Sequence, residues 1–246
     1  MSHRAVVLMC LLLAACSNAA APPSSQPLAQ PTAWKAVLIA GDDAEPAFDN
    51  AVDAMDQKLV GYGLRPEDIV VLKSSASGAQ AASRDNITNA FDAFAPGPSG
   101  GCFVFITSHG ANERGLVVKA ARSFLTPADL NGFLNVGCAD RPTVVIASGC
   151  FSGIFANGGA MPAANRTILT AARSDRTSFG CNASRQYTVF DECVLEGIAR
   201  GVPWRAVMDK TRICVARHES DENFQPPSEP QIFVGRNVAQ QVAFPY

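Results

Sequence analysis

The sequence predicts an α/β domain with a mostly parallel sheet of about six strands and helices on both faces. Three observations carry this expectation. Short apolar runs without polar alternation recur along the chain: KAVLIA, DIVVL, CFVFIT, TVVIA and TILTA. Strands buried on both faces read this way. Segments with apolar residues at helical spacing separate them, as crossovers between parallel strands require. With 48% apolar residues in 246, the stretch 34–246 can bury the core of one such domain.

The elements follow in order. Lys35 to Ala40 is a strand ending in Gly41-Asp42-Asp43. Pro46 to Tyr62 carries Phe48, Val52, Met55, Leu59 and Val60 on one helical stripe. Asp68 to Leu72 is the second strand, and a weaker helix covers Arg84 to Phe94. Cys102 to Thr107 is the third strand, with a β-hairpin over Gly115 to Ser123 after it. Thr126-Pro127-Ala128-Asp129 opens a helix: Thr caps, Pro fits the first position, and Asp suits the N-terminal dipole. Thr143 to Ala147 and Thr167 to Ala171 are strands four and five. Helices over Val189 to Arg200 and Pro203 to Ala216, then a last strand Gln231 to Val234, complete the domain.

Residues 1–15 have a basic start and the run AVVLMCLLLAA. This is a signal-peptide pattern, too short to span a bilayer. It ends in Leu13-Ala14-Ala15-Cys16, which resembles a bacterial lipoprotein box. On that reading Cys16 is lipidated and fixes an exported chain to a membrane. The expected side is the periplasm, at the outer membrane in a Gram-negative cell. Residues 16–33 are rich in Ala, Pro, Ser and Gln and read as a flexible tether. Net charge is −2, so no basic footprint argues for nucleic acid.

An oxidising compartment permits disulfides. Cys181, Cys193 and Cys214 lie on late polar segments and are the expected partners, whereas Cys102 reads as a small buried hydrophobe. No C-x-x-C or H-x-x-x-H spacing points to a metal, and no organic cofactor is expected.

In open α/β sheets chemistry gathers at the carboxyl ends of the strands. Strands three and four end in Ser108-His109-Gly110 and Ser148-Gly149-Cys150. Neighbouring parallel strands would bring His109 and Cys150 to one edge, where an imidazole takes the proton of a thiol. The N–H groups of Gly110 and Cys150 would serve as an oxyanion hole. The small residues around Cys150 allow a tight exposed turn.

His-Gly after one strand and small-x-Cys-x-Ser-Gly after the next resemble the caspase-fold cysteine peptidases, and within them the legumain-like (C13) group. GYGLRPEDIVVL, CFVFITSHGANERGLVV, LTPADLNGFL and TILTAARSDRTSFGC are similar to successive segments of that group. The resemblance implies a caspase-like three-layer sandwich. It also implies cleavage of peptide bonds through a Cys150 thioester, with His109 as general acid/base. Where the group has Glu-Ala before the nucleophile, this chain has Ser148-Gly149. Where the group has Asn-Tyr-Arg-His, Ala47-Phe48-Asp49-Asn50 stands. Asp191 and Ser178 match a pocket acid and a pocket Ser. Asp49, Ser148, Ser178 and Asp191 are therefore the expected substrate-binding residues, and a pocket with Asp49 and Asp191 would favour Lys or Arg before the scissile bond.

Two other readings compete. An α/β-hydrolase order, nucleophile then acid then His, is met by Cys150, Asp175 or Asp191, and His218. A lipid-tethered binding protein without activity would also accommodate the altered pocket.

Overall fold

The computed structural model describes residues 27–94, 97, 99–182 and 184–244. The signal segment, Cys16 and most of the tether lie outside the described residues. Six strands form one sheet. They are β1 (Ala33–Ala40), β2 (Ile69–Lys73), β3 (Gly100–Thr107), β7 (Thr143–Ser148), β8 (Arg166–Thr170) and β9 (Gln231–Val234). Their order is β2-β1-β3-β7-β8-β9, parallel except for β9, which runs antiparallel to β8. A small antiparallel sheet, β4 (Gly110–Ala111), β5 (Gly115–Val118) and β6 (Ser123–Leu125), grows from the end of β3.

Five helices cover the sheet. α1 (Pro46–Gly61), α4 (Val189–Gly197) and α5 (Trp204–Asp221) pack on one face, against Leu38, Phe103, Phe105, Val144 and Ile146. α2 (Arg84–Asp92) and α3 (Pro127–Gly137) pack on the other, with the small sheet, against Val37, Ile39, Val104, Ile106 and Val145. Every residue of β3, β7 and β8 is buried, which is why the centres of these strands are continuous apolar runs rather than alternating. This is the expected three-layer sandwich.

Two expectations change. Cys102 is not a lone buried thiol: it is bonded to Cys138 at the end of α3, 36 residues on. Cys193 and Cys214 join α4 to α5, and Cys181 stays free with Cys150. The tether also ends earlier than its composition suggests. The Leu28 N–H donates to Asn237 O, the Gln241 amide donates to Leu28 O and Ala29 O, and the Thr32 N–H donates to Ser99 O. Backbone hydrogen bonding, invisible to composition, fastens these residues to the domain.

Candidate active site

Strand register fixes the site. Thr107 of β3 and Ser148 of β7 are direct partners, and His109 and Cys150 each stand two residues beyond them. Side chains alternate along a strand. Phe103, Phe105 and Thr107 therefore share a face with Val144, Ile146 and Ser148, the face covered by α1, α4 and α5. The His109 ring meets the Phe48 ring of α1 edge to face, centroids 5.2 Å apart. Asn50 does not reach the imidazole: its amide donates to Gln186 O at 3.1 Å.

Two glycines let the strand ends approach each other. A Cβ on Gly110 would stand 1.9 Å from the Cys150 carbonyl oxygen and 3.0 Å from the Cys150 N, so only Gly lets the two segments touch. A Cβ on Gly149 would stand 2.5 Å from Ser108 O. Among the described residues the Cys150 N–H donates to no backbone carbonyl. Phe151, next in the chain, holds the left-handed conformation at φ 58°. A bulky residue there costs energy and recurs where a turn must present a functional group. Its N–H donates to Arg176 O at 2.7 Å.

The sulfur lies on the segment after β8. The Ser178 N–H points at Cys150 Sγ from 3.4 Å and the Ser178 hydroxyl stands 3.7 Å away. The thiol in turn faces Ser178 O at 3.6 Å. Ser178 thus meets the Cys150 sulfur through both its backbone and its hydroxyl. Cys181, three residues on, is a half-buried thiol. Burial pushes its pKa up, and the charges of Cys150 and Glu45 add to that.

Glu45 is a residue that sequence reasoning missed. It occupies the N-cap position of α1 and lies close enough to Cys181 to raise that thiol's pKa, and Asp49 follows one turn later. Asp49 Oδ2 accepts from Ser75 Oγ, but Asp49 Oδ1 and Glu45 Oε2 are sealed from solvent without a hydrogen-bond partner. The available signal was the pair itself: two acids four apart on a helix repel each other.

Two of the expected substrate contacts are corrected by burial. Ser148 is 1% exposed and Asp191 0%, so neither surface meets a substrate. Asp191 Oδ2 instead accepts from Thr107 Oγ1 at 2.6 Å. Burial pushes its pKa up to about 6, while hydroxyl groups of Thr107, Ser148 and Thr188 act in the opposite direction. The end of β1, GDD, is tied to the small sheet, with Lys119 binding Asp43 and standing 3.9 Å from Asp42.

The alternative triad is not assembled. His218, on α5, stands 3.5 Å from Glu222 and beside the Cys193–Cys214 disulfide, and Asp175 is paired with Arg173. Cys193, Cys214 and His218 cluster within 4.8 Å, but both sulfurs are spent in the disulfide.

The comparisons agree with this geometry. The model of the peptidase C13 family matches residues 83–196, which span β3, the small sheet, β7 and most of α4. Among solved structures, caspase-1 from Spodoptera frugiperda is similar with a TM-score of 0.61 at 12% identity. That match covers 87% of this chain and 91% of the insect protein, and at that identity it speaks for the fold alone. No curated protein matches.

Proposed function

We propose that this chain, which matches the peptidase C13 family model over residues 83–196 and shares the caspase fold, cleaves peptide bonds through Cys150 and His109. The carrying observation is the strand pairing of Thr107 with Ser148, with His109 and Cys150 at equal offsets beyond it. In the proposed reaction His109 takes the thiol proton as Cys150 Sγ bonds to the substrate carbonyl carbon. The developing oxyanion is met by the N–H groups of Gly110 and Cys150. The imidazolium then protonates the leaving amine as the C–N bond breaks, leaving a thioester. His109 next deprotonates a water, which releases the acid and the free thiol. An amine in place of that water would give transpeptidation.

Asp49, with Glu45 one turn before it, supports a preference for Lys or Arg before the scissile bond, since two acids at the start of α1 favour a cationic guest. The Arg residues near the mouth are engaged elsewhere: Arg173 with Asp175 and Glu229, and Arg185 with Glu192 and Glu222. Ser178 lines the same cleft.

The test uses protein from residue 24 onward, with a fluorogenic panel bearing Asn, Asp, Arg or Lys before the scissile bond. Turnover abolished in Cys150→Ala and His109→Ala but kept in His218→Ala is the expected result. Loss with His218→Ala and retention without His109 would favour the hydrolase triad. A folded wild type that neither turns over peptide nor alkylates at Cys150 would favour the binding protein.

Membrane attachment through a lipid on Cys16, facing the periplasm, belongs to the same proposal. No helix among the described residues is long and apolar enough to cross a membrane. Incorporation of labelled fatty acid into wild type, and none into Cys16→Ala, is the expected outcome. Equal labelling of both would remove the anchor.

A further inference from the structure

The same four-residue signal opens two helices of this chain and is used differently in each. In α3, Thr126 accepts from the Asp129 N–H and the Asp129 carboxylate folds back to the Thr126 N–H, a complete capping box. In α4, Thr188 likewise accepts from the Asp191 N–H at 3.1 Å. The Asp191 carboxylate, however, leaves its own helix and reaches Thr107 on β3. Ser148, the strand partner of Thr107, also stabilises the carboxylate.

We infer that Asp191 is a positioning residue for the reaction: a sealed carboxylate that ties the two strand ends together and so sets where His109 and Cys150 stand. The assignment rests on His109 and Cys150 being the reacting pair. Thr107 and Ser148 are the last residues of β3 and β7, and each reacting side chain follows two residues later. A shift of either strand end moves one reacting group relative to the other, and misplacement by about 1 Å costs on the order of 100-fold in rate.

The charge balance separates this role from ordinary packing. Asp191 is fully buried, and the groups that face it from β3, β7 and α4 are the hydroxyls of Thr107, Ser148 and Thr188, with no charged side chain among its influences. Its Oδ1 has no hydrogen-bond partner of sound geometry. A neutral amide would fill the same space without desolvating a charge. A carboxylate buried at a cost in stability, held at the last strand residues before the proposed reacting pair, fits a functional constraint rather than a structural one.

The test compares wild type with Asp191→Asn and Thr107→Val. Three quantities are read: melting temperature at pH 7.5, kcat and KM on the best panel peptide, and the pH profile of Cys150 alkylation by iodoacetamide. For Asp191→Asn the expected results are a melting temperature equal to or above wild type, and kcat lower by about 10- to 100-fold with little change in KM. The pH profile of Cys150 alkylation should shift from that of wild type, because displacing His109 relative to Cys150 changes how the imidazole takes the thiol proton. Thr107→Val should reproduce the fall in kcat, and the double variant should add little to either single one. Unchanged kcat, or a fall in kcat matched by a fall in melting temperature, would overturn the inference. If Asp191→Asn does not fold, Thr107→Val reads the same link with the carboxylate in place. Alkylation indifferent to His109→Ala would sink the peptidase reading. Alkylation sensitive to His109→Ala but indifferent to Asp191→Asn would sink only this inference.

Discussion

Gly110 rests directly on the peptide of Cys150: a β-carbon there would lie 1.9 Å from the Cys150 carbonyl oxygen and 2.8 Å from its carbon. The contact joins the ends of β3 and β7 more tightly than any pair of side chains could. Gly110→Ala must push the nucleophile turn away. We expect a stability loss of about 1–3 kcal/mol from overpacking and a kcat/KM lower by at least about 100-fold. Steady-state kinetics beside thermal melting measures both, and wild-type turnover in this variant would show that the turn tolerates displacement.

The acidic mouth predicts a selective loss. Glu45→Gln and Asp49→Asn each remove one charge from a carboxylate with one oxygen sealed from solvent and unpartnered. Charged hydrogen bonds contribute about 1.5–3 kcal/mol, which corresponds to about 10- to 100-fold in kcat/KM for Lys or Arg peptides. Peptides with an uncharged residue at that position should change little. The panel reads this directly, and a parallel loss on every peptide would mean that the two acids shape the fold rather than select the guest.

Asp191 also predicts how stability depends on pH. Its folded pKa, about 6, lies above the ordinary value of 3.8. Between these values the folded state holds more protons than the unfolded one, so stability falls as pH rises through the window. Below about pH 4 the contribution is fully present; above about pH 6 it is gone. Asp191→Asn lacks this loss, so its advantage over wild type should grow from pH 4.5 to 7.5, to at most about 3 kcal/mol. Urea denaturation at the two pH values checks the sign. A constant difference would mean that the carboxylate is not desolvated.

The disulfides make a chemical prediction. They close loops with separations of 36 and 21 residues, for which the chain-entropy estimate is about 3–4 kcal/mol each. Cys102→Ala with Cys138→Ala, and Cys193→Ala with Cys214→Ala, should each lower stability by a few kcal/mol on that estimate. Denatured but unreduced protein from residue 24 should show two free thiols, Cys150 and Cys181. Four or more would contradict the pairing.

The sheet was legible because its signal is local. Apolar runs such as CFVFIT and TVVIA are long enough to mark buried strands, and their order gives parallel pairing by the crossover rule. The same order sets Thr107 beside Ser148, two residues before His109 and Cys150. What escaped was non-local. Cys102 reads the same whether bonded or free, since its partner is 36 residues away. Asp191 repeats the capping pattern of Asp129, and nothing within four residues says that its carboxylate turns to another strand. Ser178 contributes a backbone N–H, which every non-proline residue has.

The entry of the chain into the sheet has a consequence for reach. Thr32 is bonded to Ser99, at the amino-terminal end of β1 and β3, whereas Cys150 follows the carboxyl end of β7. Eight-residue strands at about 3.3 Å per residue separate the two ends by roughly 25 Å. The chain therefore enters the domain at the end of the sheet opposite the edge that carries Cys150.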